Sequence, residues 1–215
     1  MKQLAIITTI LFLAVGTVKS QQRSPAAIGL YASFGLREVN ATNFFINTVE
    51  NPSSAYTIGA GYSWRKNRLL IGTEFHFANK HQENSTTITH HAGFNSAFLA
   101  GYKLGQLKEW SFYPILGVGV TQNKLLFSSK SNEVTPLGQS SIYAQHAMIL
   151  SPALSVEKIN AKGMLMGFSI GYSAAINGKQ GWEQEGSSYK TPFHNQPGGF
   201  FIQVKTGGLI RLEKK

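Results

Sequence analysis

Eight stretches of this chain alternate large apolar residues with small or polar ones for about ten positions each, and no other regularity constrains the fold as much. In the second stretch Tyr56, Ile58, Ala60, Tyr62 and Trp64 fall on one face of an extended strand, and Thr57, Gly59, Gly61, Ser63 and Arg65 on the other. One face suits lipid and the other a narrow, wet interior. The pattern predicts strands over 26–37, 55–65, 68–78, 94–105, 110–123, 146–157, 163–176 and 199–212. Short connections (Lys66-Asn67, Gln106 to Glu109, Lys158 to Lys162) alternate with long polar ones (38–54, 79–93, 124–145, 177–198). An even number of strands joined in this way predicts an all-β fold: an eight-stranded, antiparallel, up-and-down transmembrane β-barrel with both termini and the short turns on one side and four long loops on the other. In strands four and six the reading is less regular, since Leu99 and Ile149 fall on the inner face.

The N-terminus carries Lys2, an apolar run from Leu4 to Val15 broken only by Thr8 and Thr9, and then Val18-Lys19-Ser20. This predicts a cleaved signal peptide over 1–20 and a single barrel domain over 21–215. The run is too short for a helix crossing a hydrocarbon core of about 30 Å, and no other stretch approaches twenty apolar residues, so spanning falls to a closed barrel. The chain has no Cys, and a fully hydrogen-bonded barrel holds together without disulfides. It has no Asp either, which removes Asp-based triads and Asp-rich calcium loops. The net charge of +10 falls to +8 once Lys2 and Lys19 are removed. These charges are scattered through loops and turns, which argues against nucleic acid and for phosphate-bearing lipid head groups.

The inner faces are dominated by glycine, at 29, 35, 59, 61, 72, 101, 117, 119, 167, 171 and 207, leaving room for Tyr31, Tyr113 and Phe201. A barrel of this size encloses little more than side chains, so a plugged, polar interior is expected. The charged residues assigned to it are Glu74, Lys103, Glu157, Lys205 and Arg211, with His76 and Gln203 nearby. Charges in so narrow a space must pair. Heights counted from the short turns predict a Glu74–Lys205 contact and a lower cluster of Glu157, Lys103 and Arg211. On the outer face, Trp64, Tyr102 and Trp110 near the short turns and Phe34, Tyr56, Phe77, Phe94 and Phe200 near the long loops predict two aromatic girdles. Phe44, Phe45 and Trp182 are aromatic loop residues and candidate contacts for a partner.

This architecture resembles the small eight-stranded outer-membrane barrels of double-membraned bacteria, a group that includes the transmembrane domain of outer-membrane protein A, the X-type barrels and the opacity proteins. Lys205-x-Gly207-x-x-Ile210-x-Leu212 in the last strand resembles the signal that those proteins present to the barrel-assembly machinery, with aliphatic residues where aromatics are usual and Glu213-Lys214-Lys215 following. The resemblance implies outer-membrane location, lipid and assembly-machinery partners, and an extracellular ligand or surface partner bound by the loops. It also suggests that the luminal charges gate small ions, against the plainer reading that they satisfy one another. No peptidoglycan-binding domain follows the barrel, so the cell-wall tether is not expected. Some barrels of this size modify lipid A using Ser, His and an acidic residue. Here His81, His90, His91 and His194 accompany Ser85, Ser187, Ser188, Glu83, Glu183 and Glu185, but no His is followed by Ser at the His-x-Ser spacing of the deacylases. Adjacent His90 and His91 diverge on a strand, which argues against a metal site, and no cofactor is expected. A soluble carrier barrel of the lipocalin kind would place its large apolar residues inward, and it also lacks support from a Gly-x-Trp pattern. The expected role is structural or adhesive, and not enzymatic.

Overall fold

The computed structural model describes residues 26–38, 54–83, 87–130, 140–176, 180–186, 190–195 and 197–212. The segment 1–20, Phe44, Phe45, Ser85, Ser187 and Ser188 lie outside the described residues. The strands are β1 (Ala26–Glu38), β2 (Ser54–Lys66), β3 (Leu69–Glu83), β4 (Thr87–Tyr102), β5 (Gly105–Leu107), β6 (Trp110–Ser129), β7 (Ser140–Ile159), β8 (Met164–Ala175), β9 (Gln180–Gln184), β10 (Lys190–Asn195) and β11 (Gly198–Leu212). Eight of them form an antiparallel ring in the order β1, β2, β3, β4, β6, β7, β8, β11. The ring closes because β1 pairs with β2 on one side and β11 on the other: Tyr31 is level with both Gly61 and Gly207.

Turn chemistry holds the short ends. Asn67 and Lys108 adopt positive φ (56° and 54°), and Gly163 does so at 82°. In the β7–β8 turn, Asn160 N–H donates to Met164 O and Gly163 N–H to Asn160 O, both at 3.0 Å, while Met164 N–H donates to Asn160 Oδ1 at 2.9 Å.

The outer face is apolar as the alternation requires: Ile28, Leu30, Phe34, Ile58, Phe75, Phe98, Leu116, Val118, Met166, Phe168, Ile202 and Val204 are all exposed. A continuous band of such residues is incompatible with water and matches hydrocarbon, which disposes of the soluble carrier barrel. The inner face fits large residues over small ones. An added Cβ on Gly61 would lie 2.5 Å from the Tyr31 hydroxyl, and one on Gly171 2.5 Å from the Phe201 ring. Leu99 and Ile149 do point inward. Leu99 packs with Leu70, Ala97, Tyr113 and Ile115 in an apolar wall along one side of the lumen.

The long connections 79–93, 124–145 and 177–198 contain more strand than their polar composition suggests. The β3–β4 ladder continues through Lys80↔His91 and His81↔His90 to Glu83↔Ile88, and the β6–β7 ladder through Lys124↔Ala144 to Ser128↔Ser140. Alternation persists there: on β6–β7 Leu125, Phe127 and Tyr143 are fully buried, whereas on β3–β4 the inward residues are Thr89 and His91. Because β8 ends opposite Ile149, the upper part of β7 would expose an unpaired edge. The β9–β10 hairpin covers it through Tyr143↔Gln184 and Ala144↔Glu183, with Glu185 N–H donating to Ile142 O at 2.9 Å.

Closure depends on glycine where strands meet most closely. A Cβ on Gly207 would lie 2.0 Å from Leu30 O, whereas one on the outward-facing Gly208 meets nothing within 4 Å. Gly207→Val is therefore expected to abolish the fast-migrating folded form seen on SDS gels without boiling, and Gly208→Val to retain it. Equal behaviour of the two variants would contradict this account of closure.

Candidate functional site

The lumen is organised in three tiers of polar contacts. In the lowest, Arg65 on β2 reaches Glu157 on β7, with Nη1 2.5 Å from Oε2 and both side chains almost fully buried. These strands are four apart in either direction around the ring, so the pair crosses the full diameter. Arg65 Nε also donates to Ser63 Oγ at 3.1 Å, and the guanidinium carbon stands 5.6 Å above the Tyr113 ring. Ser155 donates to Glu157 at 3.2 Å and accepts from Ser169 at 2.8 Å. Each buried charge thus has an opposite charge and further hydrogen bonds, the condition under which burial is tolerated.

The middle tier centres on Glu74. One carboxylate oxygen lies 3.3 Å from His76 Nε2, and the other 3.5 Å from Lys205 Nζ and 3.4 Å from the Tyr31 hydroxyl. Lys205 also stands 5.0 Å from the centre of the Tyr31 ring. Higher up, Arg37 Nη1 donates to Asn95 Oδ1 at 2.8 Å and the guanidinium stacks on Phe201 at 5.2 Å. Gln203 is buried between these tiers.

The long-loop mouth is covered from the side. Trp182 on β9 is only 2% exposed and roofs a polar cavity of about 20 Å³ that Arg37, His91, Asn95 and Gln145 also line. That space admits roughly one water-sized molecule. Lys124 on β6 bridges to Glu185 beyond β9 at 2.5 Å and ties the hairpin down. At the short-turn mouth the lumen opens into a cavity of about 420 Å³.

Several assignments need correcting. Lys103 does not join Glu157: β4 ends at Tyr102, and the lysine, beyond the strand, donates to Gln106 Oε1 at 2.7 Å. Arg211 is exposed at the end of β11 rather than clustered inside. The cation that meets Glu157 is Arg65, whose inward facing is legible in the alternation although it is absent from the interior charges expected above. Trp182 is a buried cap and offers no surface to a partner. Gly207 sits at the closure seam, and Ile210 and Leu212 face outward beside it. Tyr56, Phe77, Phe34 and Phe200 are exposed toward the long-loop end, with Phe77 against Phe94 at 5.2 Å and Phe200 against Tyr172 at 4.9 Å. Trp64, Tyr102 and Trp110 lie on the outer face at the short-turn end, opposite Ile28, Leu69 and Lys158.

Among the described residues, no contact joins the loop histidines to a serine. His81 and His90 oppose each other on the outside of the extended β3–β4 hairpin, 6.2 Å between ring centres, with His90 held by Asn79 at 2.7 Å. His91 faces inward, and His194 stands on β10 opposite Gly181. Among the described residues, no group of three His, Cys, Asp or Glu is placed to hold a metal ion. One serine–histidine–glutamate series does occur, unseen in the sequence: Ser33 Oγ lies 3.5 Å from His76 Nδ1, and His76 Nε2 3.3 Å from Glu74. Ser33 is 1% exposed and lines neither of these two cavities.

The cross-lumen pair makes a stability prediction. Removing one partner of a buried ion pair costs about 3–5 kcal/mol, because the other charge is stranded. Glu157→Ala is expected to destabilise the barrel by that order in urea titrations in lipid vesicles, and Arg65→Ala/Glu157→Ala by clearly less than the two single changes combined. Strict additivity would mean that the pair is not coupled.

No protein-family model matches the chain, and no curated protein matches it either. Solved structures do. The chain is similar to a major outer membrane protein from Thermus thermophilus, at 9% identity over 86% of this chain and 99% of that one, with a TM-score of 0.54. Ail, the attachment invasion locus protein of Yersinia pestis, aligns at 14% identity over 89% of this chain and 100% of that one, with a TM-score of 0.49. OprG from Pseudomonas aeruginosa aligns at 11% identity over 89% and 98%, with a TM-score of 0.47. The closed ring, its outward apolar band and the first of these likenesses together give the chain the fold of the small eight-stranded outer-membrane β-barrels.

Proposed function

We propose that this chain is a small barrel of a bacterial outer membrane, exported by the 1–20 signal, whose lumen is closed and whose role is structural or adhesive through the segments at its long-loop mouth. The observation that carries this reading is the Arg65–Glu157 pair joining opposite walls of the lumen. Above it the Glu74–Lys205 contact reaches past β1 and β2 from β3 to β11, and Trp182 is buried toward the far end. A solute path would have to break each of these in turn. The network therefore serves to satisfy buried charge and brace the walls.

The placement of the short turns toward the periplasm follows the general design of such barrels. It leaves the extended β3–β4 and β6–β7 hairpins standing outside the cell, with 39–53, including Phe44 and Phe45, joining β1 to β2 at the same end. Lipids and the barrel-assembly machinery are the partners this reading entails, and an extracellular ligand or host surface is the partner the loops would serve. A non-enzymatic role is supported by the burial of Ser33, the serine beside His76.

Planar-bilayer recording tests the closed lumen: the purified barrel is expected to give no stable conductance steps, and regular steps from the wild type would refute it. Binding of whole cells to surfaces tests adhesion, which should fall when 39–53 or 131–139 is exchanged for a glycine-serine segment. An altered lipid A mass spectrum on expression would instead point to an enzyme.

A further inference from the structure

The cavity of about 420 Å³ at the short-turn mouth is a space for which the network has no use. Arg65 forms part of its wall, Lys103 and Arg211 stand at its rim, and Gln106, Ser111 and Tyr113 add polar atoms. Its acidic lining residue, Glu109, is bonded to Lys158. Lys103 has the neutral Gln106 as its partner, and Arg211 has no ion pair among the described residues. Burial, together with the nearby Arg68 guanidinium, pushes the Lys103 ammonium down. Among the described residues, cations are therefore gathered around a concave, water-accessible space with too few carboxylates to offset them. In such a space each added negative charge relieves repulsion as well as gaining charge-assisted hydrogen bonds.

We propose that this vestibule is a binding site for a phosphate-bearing anion, held at the rim by Lys103 and Arg211 and facing Arg65 at its inner end. A volume of about 420 Å³ accommodates a phosphate or diphosphate group with part of the molecule that carries it. The guanidinium of Arg211 offers a planar fork to two oxygens, and Lys103 a mobile point charge. The same chemistry is presented by a soluble phosphate compound and by a phospholipid head group bending over the rim. The site stands on the cavity itself and is independent of whether the loops are adhesive.

The test uses the folded barrel in neutral maltoside micelles in low-salt, phosphate-free buffer near neutral pH. In one arm inorganic phosphate and pyrophosphate are titrated in and followed by phosphorus NMR line width and calorimetry. In the other the micelles are doped with phosphatidylglycerol or uncharged diacylglycerol, and retained lipid is read by native mass spectrometry. Lys103→Gln/Arg211→Gln is expected to weaken binding by about tenfold or more, as loss of charge-assisted contacts predicts. Lys66→Gln/Lys162→Gln removes the same charge from the same mouth, outside the cavity, and is expected to change it by less than about twofold. Saturable binding of the inorganic anions assigns the site to soluble phosphates, and selective retention of phosphatidylglycerol alone assigns it to head groups. Equal losses in the two double variants, or no binding in either arm, would overturn the proposal. Retained heat-modifiable gel mobility shows that a variant has folded.

Discussion

The closing ladder between β1 and β11 is the constraint on which everything else rests. In hydrocarbon an unpaired backbone amide costs several kcal/mol, so a sheet that is apolar on its outer face has to meet itself. Here it does so over Ala26–Arg37 against Phe201–Leu212. Gly207 lies at that seam and allows the main chains to approach. Once the ring is closed, the outer face belongs to lipid and the inner face encloses a space too narrow for bulk water.

From that narrowness follows the character of the interior. Glycine beneath Tyr31 and Phe201 makes the volumes fit, and Leu70, Leu99 and Ile115 fill one wall. The remaining charges cannot be solvated, so they find one another: Arg65 with Glu157 across the diameter, and Lys205 with Glu74, beside which His76 stands. Serines supply the residual hydrogen bonds. The same close packing buries the Ser33–His76–Glu74 series, with Ser33 itself 1% exposed.

β6 and β7 are much longer than β8, so part of β7 would have a bare edge, and the β9–β10 hairpin both pairs with that edge and inserts Trp182 over the lumen. At the opposite end β4 stops at Tyr102, Lys103 leaves the barrel wall, and the mouth widens into a basic vestibule.

The period-two alternation by itself determined the fold class, the strand count and the facing of nearly every residue, because a pleated strand offers only two sides and lipid tolerates only one of these compositions. It was also sufficient to place Glu74 and Lys205 at matching heights on the inner face. It could not determine which inward charges meet: Arg65 faces the lumen in the alternation, but that β2 stands opposite β7 is a property of the closed ring. Nor did polar composition reveal the extended hairpins, since ladder bonds form between backbones whatever side chains such as Lys80, His81 and Lys124 they carry. Trp182 reads as a loop aromatic in the sequence, and only the unpaired edge of β7, created by unequal strand lengths in three dimensions, decided that it would be buried.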